Sequence, residues 1–493
     1  MNRSMIVYIL GWVLNIEAIL MLLPCLVAVI YKETAVFSFL ITILLCGAAG
    51  WLLMHKKPKS TVFYLKEGCI ATALSWIAMS IFGCLPFVFS GEIPSFTDAL
   101  FETISGFTTT GASILGDVEC LSRSILFWRC FTHWIGGMGV LVFLLAIIPM
   151  SGGSNMNLMR AESPGPSVGK LVPKVKHTAR ILYWIYIVIT IVQILLMLLG
   201  GVSLFDAATI SFGTVGTGGF GIKNDSMGSY SPYIQWLVAI FMALSGINFN
   251  AYYYILDRKW KKVFEMEEVR AYLLIMFAAA GVIVVDVCNA ALSTGHTVRD
   301  AFFQVSSLMT STGFATLDYD IWPTTSRMIL ILVMFVGACA GSTGGGIKVS
   351  RIVLLLKTVK KELNSYMHPK SIRKIKMDGK PVEHEVMRAV NVYFIAFMLL
   401  FAFSMIMVSL DGKGLVTTFT GVLACLNNIG PGMEMAGPTE NFGSFSILSK
   451  YVLMFDMLAG RLELFPLLLL FHPSVWKQFF ARRKMKSSNS STF

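Results

Sequence analysis

Four stretches of this chain carry residues able to hold a cation without a charge of their own. They are Thr108-Thr109-Thr110-Gly111, Val215-Gly216-Thr217-Gly218, Thr310-Ser311-Thr312-Gly313 and Asn427-Asn428-Ile429-Gly430. None contains a carboxylate. Neutral oxygens suit a weakly hydrated monovalent cation, whereas Ca²⁺ and Mg²⁺ usually take carboxylates. An extended strand whose carbonyls point inward can replace the water around such an ion. Glycine supplies the positive φ that a tight turn demands.

Each stretch ends a longer unit. "DALFETISGFTTTGAS" starts at Asp98, "DAATISFGTVGTGGFG" at Asp206, "DAFFQVSSLMTSTGFAT" at Asp300 and "TTFTGVLACLNNIGPGM" at Thr417. The leading Asp or Thr precedes the glycine by 13, 12, 13 and 13 positions, and the glycines are 107, 95 and 117 residues apart. One such match is an ordinary pair of helix-capping signatures; four at near-equal spacing read as an internal repeat. The Asp or Thr is expected to cap a short helix. A helix of about ten residues cannot cross a hydrocarbon layer ~30 Å thick, so it must dip in and stop. Its C-terminal end carries partial negative charge. The unpaired backbone that follows must line a wet cavity or be buried in protein.

The elements that position these units are apolar. Hydrophobic residues make up 55% of the 493 and charged residues only 14%, with a mean hydropathy of +0.70. A soluble surface needs about a quarter charged residues, so most of this surface faces lipid. Residues 35–54, 69–90, 181–204, 232–256 and 389–410 contain no Asp, Glu, Lys or Arg. Residues 5–30, 125–149, 271–292 and 446–471 carry one to four charges each, and 328–347 end in glycines. These are ten candidate spans of about the ~20 residues a crossing needs.

The net charge of +12 fits basic residues gathered in cytoplasmic loops. With the N-terminus inside, the inner segments hold Lys56, Lys57 and Lys59; Lys170, Lys174, Lys176 and Arg180; Arg258 to Lys262; Lys357 to Arg388; and Arg482 to Lys484. The C-terminus is then also cytoplasmic. No nucleic acid is expected, because the charges are spread over several loops without a reading motif. The nine cysteines form no CxxC and read as small core residues. The first apolar run lacks a small-residue cleavage site and reads as a retained helix.

At this point the chain resembles the membrane subunits of Trk potassium uptake systems, within the Trk/Ktr/HKT superfamily. The likeness covers essentially the whole sequence. It rests on "TISGFTTTGAS", "TVGTGGF", "MTSTGFAT" and "CLNNIGPG", with "HWIGGMGV" (133–140), "GACAGSTGGGIKVSR" (337–351) and "MLAGRLELFPLLLLF" (457–471). The resemblance implies an all-α membrane protein with ten transmembrane helices: four pseudo-symmetric helix–pore-loop–helix repeats plus an N-terminal helix pair. The units are then 1–60 (helix pair), 61–165, 166–262 and 263–365 (repeats one to three), and 366–493 (repeat four with a basic tail). It implies a K⁺ filter at Thr109, Thr110, Gly111, Gly216, Thr217, Gly218, Ser311, Thr312, Gly313, Asn428, Ile429 and Gly430. It further implies a homodimer in the bacterial plasma membrane and a cytosolic, nucleotide-binding, TrkA-like regulatory subunit. Because the second and fourth strands differ from the Thr-rich ones, equal fourfold coordination is not expected.

Two further features bear on gating. "AGSTGGGIK" (340–348) interrupts an apolar span. It is no phosphate loop of the Walker type, since Ile347 follows Gly346; on residues alone it is a flexible helix break. The resemblance makes it a mobile intramembrane gate at Gly341, Gly344, Gly345, Gly346 and Lys348. Arg461 lies mid-run, where a charge is expensive without a partner or water. Asp456 or Glu463 could pair with it; the resemblance instead makes it a fixed positive charge below the filter. Glu17 and Asp286 read as helix–helix hydrogen bonders rather than ion sites. Arg129 and His133 read as anchors near a span end. "HEVMR" (384–388) lacks the second His of a zinc protease motif. The basic 357–388 segment fits either anionic lipid or a docking partner. A membrane enzyme is disfavoured, since no nucleophile–base pair or metal cluster shares a segment. A secondary transporter coupling K⁺ to Na⁺ or H⁺ remains the alternative, because such proteins also place sites at broken helices.

Overall fold

The computed structural model describes residues 1–58, 64–139, 175–290, 295–370 and 374–480. Among them the chain is mostly helical, with one two-stranded antiparallel hairpin pairing Lys376 with Pro381 and Met377 with Lys380. Six helices are long and apolar enough to cross a membrane: Arg3–Ile30, Ala35–Met54, Leu65–Ser90, Arg180–Leu199, Glu267–Asn289 and His384–Ser409. Their outer faces expose Phe37, Leu44, Leu199, Leu274 and Ile406, as lipid contact requires.

Three of the four remaining expected spans are interrupted within the described residues. Residues 232–256, read as one charge-free crossing, form Pro232–Ser245 and Phe249–Leu256, bent by 91°. The cause is local: Asn248 is an N-cap whose Oδ1 accepts from Asn250 N at 2.9 Å and starts a second helix. The 328–347 run is helical only over Thr324–Val336 and leaves the helix at Gly337 (φ 71°). The 446–471 run stops at Arg461, with Glu463 and Leu464 both at positive φ. Of 125–149, Arg123–Gly137 is helical, and residues 140–149 lie outside the described residues. Hydropathy reports burial from water and is blind to these breaks, which sit inside protein.

The N-terminal pair packs closely. A Cβ on Gly11 would sit 2.8 Å from Gly50 O, and one on Gly50 would sit 2.9 Å from Gly11 O. Asn15 Nδ2 donates to Gly11 O at 2.8 Å and reaches Met54 Sδ at 3.1 Å. Small residues admit close helix contact in membranes, and such hydrogen bonds reinforce it. The expected boundaries at 60/61 and 165/166 lie outside the described residues; those at 262/263 and 365/366 fall inside helices Trp260–Glu265 and Val349–Met367.

Four short helices stand apart from the long ones: Phe96–Phe107, Leu204–Val215, Thr297–Met309 and Leu415–Leu426. Their caps differ from expectation. Ser95 and Ser203 accept from Asp98 N and Asp206 N, while His296 and Gly414 occupy the other two cap positions. Asp98, Asp206 and Asp300 sit instead in the first turn, where a negative charge faces the positive end of the helix.

Candidate functional site

All four short helices end the same way. After the last helical residue comes a cap residue, then a polar residue at positive φ: Thr109 (55°), Thr217 (54°), Ser311 (58°) and Asn428 (55°). Each donates its N–H three residues back, to Gly106, Thr214, Leu308 and Cys425. The next residue donates five back, from Thr110 to Ser105, Gly218 to Gly213, Thr312 to Ser307 and Ile429 to Ala424, at 2.8–2.9 Å. This pair of bonds is the Schellman termination, normally built on glycine at the left-handed position. Here four side-chain-bearing residues hold it, at a cost of about 1–3 kcal/mol each. Strain of this kind persists only where the surroundings impose it.

The geometry corrects one register. Two residues beyond the left-handed residue the chain turns again at positive φ, at Gly111, Gly219, Gly313 and Gly430. In the second unit that glycine is Gly219, one residue past the expected Gly218. The distance from Asp206 to it is 13, as in the other units. Gly218 then stands where the others have Thr110, Thr312 and Ile429, and Gly216 stands with the cap residues Thr108, Thr310 and Asn427.

These glycines link the strands into a closed cycle. A Cβ on Gly111 would overlap Gly218 O; on Gly219, Thr312 O; on Gly313, Ile429 O; and on Gly430 it would lie 2.6 Å from Thr110 O. Each glycine therefore packs on the carbonyl that precedes the next strand's glycine, in the order one, two, three, four and back to one. Thr109, Thr110, Thr217, Ser311, Thr312, Asn428 and Ile429 are all buried. Thr109 Oγ1 and Asn428 Oδ1 are buried oxygens without a hydrogen-bond partner among the described residues. Such oxygens are costly unless something else meets them.

The glycine-rich loop packs directly against two of these strands. Gly344 abuts Thr310 O, Gly345 abuts Asn427 O, and Gly345 N–H donates to Ser311 Oγ. The loop is tied down along its length. Cys339 N donates to Gly246 O at 3.1 Å, and Phe249 N donates to Gly341 O at 2.9 Å. Lys348 Nζ donates to Gly344 O, closing the loop on itself. Gly341 and Gly346 take positive φ, as does Lys348 at 84°. Arg461 donates through Nη1 to Thr343 O at 2.9 Å and through Nη2 to Gly137 O at 2.8 Å and to Gly136 O. Its guanidinium thus joins the loop to the carbonyl end of helix Arg123–Gly137, where partial negative charge favours it. The two carboxylates weighed as alternative partners of Arg461 have other contacts: Glu463 pairs with Arg351, and Asp456 accepts from Ser404 Oγ at 2.7 Å.

Several supporting residues escaped the sequence reading. Glu268 Oε1 accepts from Ala340 N at 2.6 Å and Ser350 N at 3.2 Å, bridging both ends of the loop with one carboxylate. Arg129 and His133 are buried rather than anchoring a span end. Arg129 pairs with Glu102 at 2.6 Å, and Glu102 also accepts from Ser113 Oγ at 2.9 Å and Ile114 N at 3.0 Å. The available hint was Arg129, a charge inside the 125–149 apolar run. Asp286 behaves as read: its Oδ2 accepts from Ser326 N at 3.0 Å and Oγ at 2.6 Å, a helix–helix bond to the first turn of Thr324–Val336. Glu17 Oε2 receives a long contact from Cys46 Sγ at 3.8 Å, and its Oε1 has no partner among the described residues. Cys120 and Cys288 are exposed and the other cysteines buried, all of them free thiols.

Long apolar helices, and short helices ending in strained turns that pack among them, define an integral membrane protein. The family model for the cation transport protein TrkH matches residues 32–478, and the chain belongs to that family. It is 37% identical to the Trk system potassium uptake protein TrkH of Escherichia coli, across 97% of this chain and all of that protein. It is 35% identical to TrkG of the same organism over the same shares. The crystal structure of the potassium transporter TrkH from Vibrio parahaemolyticus superposes with a TM-score of 0.87 at 32% identity, covering 97% of this chain and all of that one. This is a transport protein, not an enzyme.

Proposed function

We propose that this chain takes up potassium across the plasma membrane through the ring formed by its four strand turns. The observation that carries the reading is the carbonyl–glycine cycle. Four backbone oxygens of equivalent position lie at successive corners, each held by the neighbouring strand, with no carboxylate in any strand. That arrangement dehydrates a large monovalent cation without binding it too tightly to leave. The filter residues are then Thr109, Thr110 and Gly111; Thr217, Gly218 and Gly219; Ser311, Thr312 and Gly313; Asn428, Ile429 and Gly430. The relatives' names as potassium uptake proteins support the choice of ion.

The architecture that goes with this reading has ten crossings, the broken ones included, in four repeats after an N-terminal pair, with both termini cytoplasmic. The 340–348 loop, together with Lys348 and Arg461, closes the path beneath the ring. Helix Val349–Met367 continues directly from the loop, so a cytosolic, nucleotide-binding subunit could pull on the gate through it. Dimerisation follows the family resemblance. The test is a reversal-potential measurement in proteoliposomes: a potassium pore follows the K⁺ gradient alone, and a shift with Na⁺ or pH would make the protein a coupled transporter. An anomalous map with Rb⁺ should place ions between Gly111, Gly219, Gly313 and Gly430; density only elsewhere would overturn the filter.

A further inference from the structure

The corner between the first and second strands is built unlike the other three. His133, on helix Arg123–Gly137, is fully buried. Its Nδ1 lies 2.8 Å from Gly106 O, and Phe220 N–H donates to its Nε2 at 3.2 Å. One nitrogen must donate and the other accept, which only the neutral ring with the proton on Nδ1 can do. Gly106 belongs to the terminating turn of the first short helix, and Phe220 directly follows Gly219. A single imidazole therefore fastens the first unit to the second.

The same ring accounts for an oddity in sequence. The second strand has glycine at 218, where its counterparts have Thr110, Thr312 and Ile429. A Cβ on Gly218 would enter the His133 ring at Cγ, Nδ1 and Cδ2. The imidazole fills the volume that a side chain takes in the other units. Phe220 is held on both sides: its ring centroid lies 4.2 Å from that of His133, and the Arg129 guanidinium lies 3.6 Å from it on a cation–π contact. Arg129 also donates to Gly221 O at 2.8 Å. The other corners are joined by groups of the strands and their adjoining segments. Tyr319 Oη donates to Gly432 O at 2.9 Å, Asn428 Nδ2 donates to Thr110 Oγ1 at 3.0 Å, and Met227 N donates to Ala315 O at 2.9 Å.

We infer that His133 is a positioning residue for ion discrimination: it fixes the Gly218 carbonyl relative to the first strand, and so sets how well the ring fits K⁺ over Na⁺. This rests on the reading of the four strands as the filter. A corner without the imidazole can relax inward around the smaller ion; a corner wedged by it cannot.

The test reads K⁺-over-Na⁺ permeability ratios from reversal potentials of the full-length protein in proteoliposomes, with folding followed by gel filtration. His133→Leu removes both hydrogen bonds and should lower the ratio by about tenfold, the scale of one buried polar group left unmet, while cation flux persists. His133→Asn keeps a donor for Gly106 O and should lose less. Gly218→Ala pushes the ring aside and should resemble His133→Leu. Combining Gly218→Ala with His133→Ala should be no worse than His133→Ala alone. A folded His133→Leu protein with the wild-type ratio overturns the inference. If that variant fails to fold, His133→Asn and Gly218→Ala are read by the same criterion. Failure of the filter reading looks different: wild-type protein without K⁺-selective flux, or a Gly313→Ala protein that conducts normally.

Discussion

The strand ring and the loop beneath it are held by different kinds of contact. In the ring, backbone holds backbone: each glycine packs on a neighbour's carbonyl, and each strand begins in the same pair of main-chain hydrogen bonds. In the loop, side chains do most of the holding, through Arg461, Glu268, Lys348 and Ser311. The ring tolerates unlike side chains at equivalent positions because its carbonyl–glycine contacts are made by backbone, with His133, Tyr319 and Asn428 bracing its corners. The loop depends on a few charged groups, each of which a movement could release. The ring should therefore fail when an atom is added, and the loop should open when one is removed.

The sharpest way to break this contrast is Gly313→Ala. The new Cβ would sit on a backbone at φ 85° and overlap Ile429 O, with Pro431 Cδ 2.8 Å away. Uptake should fall by about 100-fold, as when a working group is displaced by an ångström, measured as Rb⁺ flux into proteoliposomes. Gly47→Ala is the control: nothing lies within 4 Å of its Cβ position. Normal uptake in the first variant, or loss in the second, would remove the claim that the ring works through backbone packing.

Arg461→Ala tests the loop with the next largest effect. The residue donates to carbonyls of the loop and of helix Arg123–Gly137, so its loss frees the loop and removes a positive charge. A unit charge at about 4 Å is worth about 1 kcal/mol in water and about 4 kcal/mol at an effective dielectric of about 20, so basal K⁺ flux should rise about tenfold or more. Arg461→Lys should rise less, because a lysine keeps the charge but cannot fork to several carbonyls. A basal flux unchanged in Arg461→Ala would leave Arg461 a structural brace.

The contrast also explains what the sequence disclosed. The repeat was legible because backbone geometry constrains residue type: glycine recurs at Gly111, Gly313 and Gly430, and short polar residues recur at the strained turn. The one-residue error at Gly218 arose where "GTGG" offers two adjacent glycines, and only φ distinguishes Gly219 from its neighbour. The loop's glycines were legible for the same reason, but their anchors were not. Glu268 lies 72 positions from Ala340, and His133 lies 87 from Phe220; no local period joins them. The bend at Gly246–Asn248 was hidden too, because an apolar run reads as continuous whether or not its helix breaks inside protein.

Glu268→Gln probes the loop more gently. The glutamine keeps the shape and can still accept through its carbonyl oxygen, but it loses the charge that strengthens the bonds from Ala340 N and Ser350 N. Charge-assisted hydrogen bonds are roughly twice as strong as neutral ones, so basal flux should rise about threefold. A fall would mean that Glu268 supports the open arrangement rather than the closed one.

The smallest effect belongs to the neighbouring carboxylate. Glu267 turns outward to pair with Lys357 on helix Val349–Met367, and its N–H donates to Asp378 Oδ1 at 2.8 Å on the turn of the hairpin. Lys357 also donates to Lys376 O at 2.7 Å. This pair is partly solvated, with side chains 31% and 26% exposed, and exposed pairs contribute about 0–1 kcal/mol. Lys357→Met keeps the apolar stem and removes the charge, so basal Rb⁺ flux into proteoliposomes should shift by less than about threefold, and by less still in high salt. A tenfold shift would have a different meaning. Helix, hairpin and the start of Glu267–Asn289 would then move as one body, and the loop would be held through that body rather than by the residues that touch it.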